Sequence, residues 1–191
     1  MLRLARLLSV VPLVTLIGCA ADTSDGDDGD DERTQESEEA LSSACSISRA
    51  TILASVSGGR KTAIERGYTW WDEQVSYSQS RYHNGYRTDC SGFVSMAWSL
   101  GTSYTTADFY SGGGQSSPLG SYDSLRPGDA LVRRSNGSGH VVLFLGWNNS
   151  SHSSACVLEQ NSTALDMEYG TRTTSSLHAS GYKAIRADKF N

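Results

Sequence analysis

The sequence predicts an α+β domain, with helices in its first half and an antiparallel run of strands in its second. Three observations carry this. Ile64, Tyr68, Trp71 and Val75 recur at helical spacing. Residues 140–147 form a strongly apolar run of strand length. Asn84-Gly85 and Pro127-Gly128-Asp129 supply turn chemistry between the periodic segments. Taken in order, residues 47–57 read as a short helix stopped at Gly58-Gly59, and residues 60–75 as a second whose aromatics belong to the core. Residues 77–86 are polar and contain the Asn84-Gly85 turn. After Cys90, the residues Phe93, Val94, Ala97, Trp98 and Leu100 predict a helix closed by Gly101. Residues 102–122, rich in Gly, Ser and Thr, are long for a plain connection and read as a lid or a mobile loop. Strands follow at 130–134, 140–147, 155–161 and 182–187.

The first forty residues stand apart from this domain. Arg3 and Arg6 precede an apolar stretch, residues 7–17, that is too short for a permanent membrane span, so residues 1–18 read as a signal peptide. The run Leu16-Ile17-Gly18-Cys19 resembles the lipobox of bacterial lipoproteins, which implies that Cys19 is acylated and becomes the new N-terminus. Residues 19–44 form an acidic, low-complexity stretch expected to stay disordered as a tether, because it has too little apolar surface to offset its ordering entropy. The chain of 191 residues carries a net charge of −5, and this belongs to the tether: residues 20–44 hold ten acids and one arginine, residues 45–191 eleven acids and thirteen lysines and arginines. No stripe of clustered Lys or Arg suggests a nucleic-acid partner. Residues 45–191 are enough for one core.

The chemistry centres on Thr88-Asp89-Cys90-Ser91-Gly92-Phe93-Val94. A cysteine where a polar turn enters a helix meets the positive end of the helix dipole and unpaired backbone N–H groups, which favour thiolate over thiol. The same N–H groups suit an oxyanion. A base is needed, and of four histidines His140 is the one at the mouth of an apolar strand, where the ring is held rigidly. His83 belongs to the turn before the cysteine, and His152 and His178 lie in polar stretches. No C-x-x-C, H-E-x-x-H or paired histidine spacing points to a metal, and no cofactor motif is present.

Three blocks in order, Asp89-Cys90-Ser91-Gly92-Phe93-Val94, Leu125-Arg126-Pro127-Gly128-Asp129 and Gly139-His140-Val141-Val142, resemble the NlpC-type cell-wall peptidases and the related CHAP amidases of the papain-like superfamily. The likeness covers residues 60–187. It implies a papain-like NlpC-type fold and hydrolysis of amide bonds in peptidoglycan stem peptides through a thioester, with Cys90 as nucleophile and His140 as base. Asp89 and Ser91 match positions that contact the substrate's amino end in several members, while capping of the Cys90 helix is the competing reading. The Pro127-Gly128-Asp129 turn is read as structural, with Asp129 bonded to its own backbone.

The strand after the base departs from the NlpC pattern: Ala155-Cys156-Val157-Leu158-Glu159-Gln160-Asn161 is nearer the Glu-x-Asn of CHAP domains, so endopeptidase and N-acetylmuramoyl-L-alanine amidase both stay open. Alternation puts Val157, Glu159 and Asn161 on one face. Glu159, supported by Asn161, is therefore the expected third residue, with Gln160 as the alternative. With Cys19 lipidated and Cys90 kept as a thiol, Cys45 and Cys156 remain for a disulfide, in keeping with a compartment outside the cytoplasm. The expected protein is a monomer in the cell envelope, lipid-anchored to a membrane and acting on peptidoglycan peptides; the slightly basic domain suits a polyanionic wall. An acyltransferase of the same superfamily and a wall-binding protein without chemistry are the alternatives.

Overall fold

The computed structural model describes residues 41–191. The signal peptide, Cys19 and most of the acidic tether lie outside the described residues. Helix α1 (Arg49–Ala54) starts at Ser48, whose hydroxyl accepts from the Thr51 N–H at 3.1 Å. It is shorter than the predicted 47–57. Helix α2 (Gly58–Glu73) ends where Gln74 turns left-handed. Its buried side chains are Ala63, Ile64, Tyr68 and Trp70, so Trp70 rather than Trp71 is the tryptophan fully in the core, against Phe93. Strands β1 (Tyr82–His83) and β2 (Tyr86–Arg87) form a hairpin closed by Asn84 and Gly85, both at positive φ (50° and 85°), as a two-residue turn with right-handed twist requires. Helix α3 (Cys90–Ala97) follows. The stretch 102–122 is more ordered than its composition suggests. It holds α4 (Thr106–Tyr110), set by a reciprocal capping box between Thr105 and Asp108, and β3 (Ser116–Pro118).

The second half supplies β4 (Ala130–Ser135), β5 (Ser138–Trp147), β6 (Ser154–Gln160), β7 (Met167–Thr173), α5 (Thr174–Ala179) and β8 (Lys183–Ala187). Strand β7 and helix α5 were not predicted. Six strands make one antiparallel sheet in the order β3-β8-β4-β5-β6-β7. This is an α+β architecture. Alternation sorts the sheet's side chains into two clusters. Val141, Leu143, Leu145 and Leu158 pack with α2 and α3; Leu131, Val142, Phe144 and Val157 pack with Leu177 of α5 and with Tyr182. Buried Asp129 joins three elements: its carboxylate accepts from the Arg126 N–H, from Arg60 of α2 and from Arg186 of β8, all at 2.8 Å. The expected bond to its own turn is present, and the two arginines were not foreseen.

The bonded part of the chain begins before Cys45. The Ser42 N–H donates to the Thr171 carbonyl at 2.9 Å, the Thr171 N–H donates to the Ser43 carbonyl at 2.8 Å, and Leu41 packs against the second cluster. Residues 41–44, assigned by composition to the tether, are thus held to β7 by backbone hydrogen bonds. Cys45 and Cys156 form the expected disulfide, with Cα atoms 5.5 Å apart and a separation of 111 positions in sequence. Closing so long a loop restricts the unfolded chain strongly. Replacing both cysteines by serine is expected to lower unfolding stability by about 2–5 kcal/mol in chemical denaturation. An unchanged midpoint would mean the bridge contributes nothing.

Candidate active site

The hairpin delivers Arg87, Thr88 and Asp89 to the start of α3. Asp89 is the N-cap, in extended conformation, and its carboxylate accepts from the Gly92 N–H at 2.7 Å. Arg87 braces this cap: its Nε donates to Asp89, and its guanidinium also reaches Ser91 Oγ at 2.9 Å and the Tyr104 carbonyl at 3.3 Å. Ser91 Oγ donates in turn to Asp89 at 3.3 Å. Glycine is obligatory at 92, because a Cβ there would stand 1.9 Å from the Arg87 carbonyl oxygen. The helix therefore starts hard against β2, with Cys90 at its first position, fully buried and outside the disulfide. The bonds made by Asp89 and Ser91 are those of local capping.

Helix α3 packs on the face of β5 and β6 that carries Val141, Leu143 and Leu158, while alternation gives His140 and Glu159 to the face of Val142 and Val157. His140 Nε2 lies 2.5 Å from Glu159 Oε2, and both side chains are almost wholly buried. With Nε2 engaged as donor to the carboxylate, Nδ1 is the ring nitrogen left to take or give a proton. Glu159 is held from its other side by Arg172 of β7, whose Nε donates to Oε1 at 3.0 Å and whose terminal nitrogen donates to Oε2 at 2.9 Å. This is a bidentate clamp on a carboxylate that has no access to water.

The electrostatics follow from that geometry. Burial pushes the Glu159 carboxyl up, but the Arg172 guanidinium and the His140 hydrogen bond together outweigh it and hold it down at about 2. Burial pushes the His140 imidazole below its ordinary value, and the bond to Glu159 only partly offsets this. His140 is accordingly a neutral base beside an ionised partner. Both shifts act alike on stability. A folded-state pKa below the unfolded one means the unfolded chain binds protons first. Stability is therefore expected to fall as the pH drops below the ordinary histidine range, and to fall further between the ordinary glutamate value and about 2. Melting temperatures measured across that range, with and without Glu159→Gln, check this; identical acid profiles would refute it.

Of the neighbouring polar residues, Gln160 takes the opposite face that alternation predicts, and Asn161 departs from its expected supporting place. Gln160 points away, its amide donating to the Val75 carbonyl at 2.6 Å, so it does not orient the imidazole. Asn161 does not bond to His140 either; its amide donates to Glu168, and its Oδ1 accepts no hydrogen bond. The reason is alternation and reach: Gln160 belongs to the opposite face, and Asn161 lies beyond the end of β6, beside β7. Arg172 and Arg87 were missed. Arg172 sits on the unpredicted β7, thirteen positions from Glu159. The weak signal for it was the alternation of Met167, Tyr169 and Thr171.

The other histidines serve elsewhere. His83 Nε2 pairs with Glu73 at 2.7 Å. His152 stacks on Trp147 at 4.4 Å and His178 on Tyr122 at 4.3 Å, at the edge of a cavity of about 550 Å³ that Tyr182 also lines. Among the described residues no group of three or more His, Cys, Asp or Glu could hold a metal ion, and no helix is long and apolar enough to cross a membrane. No protein-family model matches this chain, and a search of the curated proteins finds no match.

Proposed function

We propose that this protein is a cysteine-dependent hydrolase that cleaves amide bonds in peptidoglycan stem peptides. The observation that carries the reading is the buried His140–Glu159 pair, clamped by Arg172, together with the buried Cys90 at the first position of a capped helix. In this mechanism the Cys90 thiol gives its proton to His140 Nδ1, and the sulfur attacks the carbonyl carbon of the scissile amide. Glu159 stabilises the imidazolium and fixes the ring; it stays ionised throughout. N–H groups at the start of α3 stabilise the oxyanion. The imidazolium returns its proton to the leaving amine, and a thioester remains. A water molecule, deprotonated by His140, then attacks the thioester and releases the acid and the Cys90 thiol. The α+β architecture with its antiparallel sheet and the three motif blocks, with Glu159 matching the CHAP-like pattern, support reading the fold as papain-like and NlpC-type and the protein as an enzyme over non-catalytic wall binding. Attachment through acylated Cys19 belongs to the same proposal, and labelled palmitate should enter the protein but not its Cys19→Ser variant.

Incubating the protein with purified peptidoglycan and identifying released fragments by mass spectrometry tests the activity and separates endopeptidase from amidase products. Intact peptidoglycan after prolonged incubation would refute it. The pH profile gives a second check. Because burial lowers the His140 pKa, the acid limb of kcat/KM is expected to lie below the unperturbed histidine value of about 6.5. An acid limb above that value would contradict a buried neutral base.

A further inference from the structure

The sheet face that holds His140 and Glu159 carries another charge that this mechanism does not use. Arg133 of β4 stands directly opposite His140 in the β4–β5 register. Side chains of such a pair start about 5 Å apart at Cβ. Arg133 is half-buried, and among the described residues no carboxylate lies within ion-pair distance of it. By contrast Arg49, Arg60, Arg87, Arg172 and Arg186 each pair with an acid. The guanidinium of Arg133 lies 5.7 Å from the centre of the Tyr182 ring. The Tyr182 hydroxyl is buried without an acceptor, and burial pushes its pKa up to about 12, so it remains a proton donor.

A cation at this place is costly to the chemistry. His140 must become an imidazolium when Cys90 gives up its proton, and a guanidinium beside it opposes that charge. An anion seated between Arg133 and the ring removes the penalty and satisfies the Tyr182 donor at the same time. We propose that Arg133, with the Tyr182 hydroxyl, receives a carboxylate of the substrate close to the bond being cut. This rests on the hydrolase reading of Cys90 and His140, and it narrows the substrate to stem peptides with a free carboxylate near the scissile amide. Arg133 is on this view a specificity-determining residue: it senses whether that carboxyl is ionised or amidated.

Calorimetric titration of the full chain carrying Cys90→Ala, in which nothing is turned over, tests the proposal. The probes are a synthetic stem tripeptide with its carboxylates free and the same tripeptide as the carboxamide. The free acid is expected to bind about tenfold or more tightly than the amide, the range of a charge-assisted hydrogen bond. Adding Arg133→Gln should equalise the two while leaving the amide's affinity within about twofold, and Arg133→Lys should keep part of the preference. Should Arg133→Gln fail to fold, Tyr182→Phe must still reduce the preference. Equal binding of both probes to the Cys90→Ala protein, or an undiminished preference in Arg133→Gln, overturns the carboxylate site even if the wild type digests peptidoglycan. Loss of both peptide binding and peptidoglycan hydrolysis would instead remove the hydrolase reading, and the carboxylate site with it.

Discussion

Cys90→Ala is expected to lower turnover on peptidoglycan by about 10⁴-fold or more while the domain stays folded. In the proposed mechanism the nucleophile acts as one unit with its base and the oxyanion donors, so its removal would leave only the residual effect of binding and preorganised dipoles. The side chain is fully buried at the first position of α3, and the cap that fixes this position is made by Asp89, Arg87 and Gly92 rather than by the thiol. Truncation to alanine should therefore cost about 1 kcal/mol of stability, in the ordinary range for a single substitution. Fragment release measured by mass spectrometry and unfolding monitored in denaturant separate the two effects. Undiminished hydrolysis by the alanine protein would remove Cys90 from the reaction.

Glu159→Ala is expected to damage both stability and rate. It removes the carboxylate that Arg172 clamps, and truncating one partner of a buried ion pair costs about 3–5 kcal/mol in comparable sites. It also frees the imidazole from its orienting bond, and loss of the corresponding tautomer control lowers kcat by about 10⁴-fold in a serine protease. The two effects are separable. In the double replacement Glu159→Leu, Arg172→Met the buried charges disappear together, so most of the stability should return, because well-packed apolar side chains often match a buried ion pair. Activity should not return. Recovery of kcat in the double variant would show that Glu159 has only a packing role.

The parts of this protein legible in its sequence are those where one periodicity dominates. The apolar run of β5 and the alternation of Val157, Glu159 and Asn161 placed His140 and Glu159 on their strands, and the count of cysteines gave the Cys45–Cys156 bridge. What remained hidden depends on contacts between segments. Strand β7 has Glu168, Gly170 and Arg172 in place of an apolar run, and it becomes a strand because β6 and residues 41–43 bond to its two edges. Gly170 is shaped for that neighbour: a Cβ there would come within 2.8 Å of the Ser43 carbonyl oxygen. Helix α5 is built from Thr, Ser, Leu, His and Ala, with Leu177 as its one buried side chain, too little periodicity to read. Arg172 and Arg133 are invisible for the same reason: strand pairing sets Arg133 opposite His140, and it sets Arg172 on the strand beside Glu159, within reach of its long side chain. Gln160 shows the converse, a polar residue beside the right one that alternation turns away to Val75.

The bridge between Cys45 and Cys156 also decides how the domain responds to mechanical tension. A pull on the chain before Leu41 meets first the hydrogen bonds of Ser42 and Ser43 to Thr171, which can slip, and then a covalent bond into β6. From there force enters the sheet three residues from Glu159 and bypasses α1, α2 and the helix that begins at Cys90. Load applied at Leu41 leaves the helix that begins at Cys90 outside its path as long as the cystine is oxidised. In the reduced protein the same pull would act on α1 and then on α2, so the redox state of one bond sets which half of the site feels the strain.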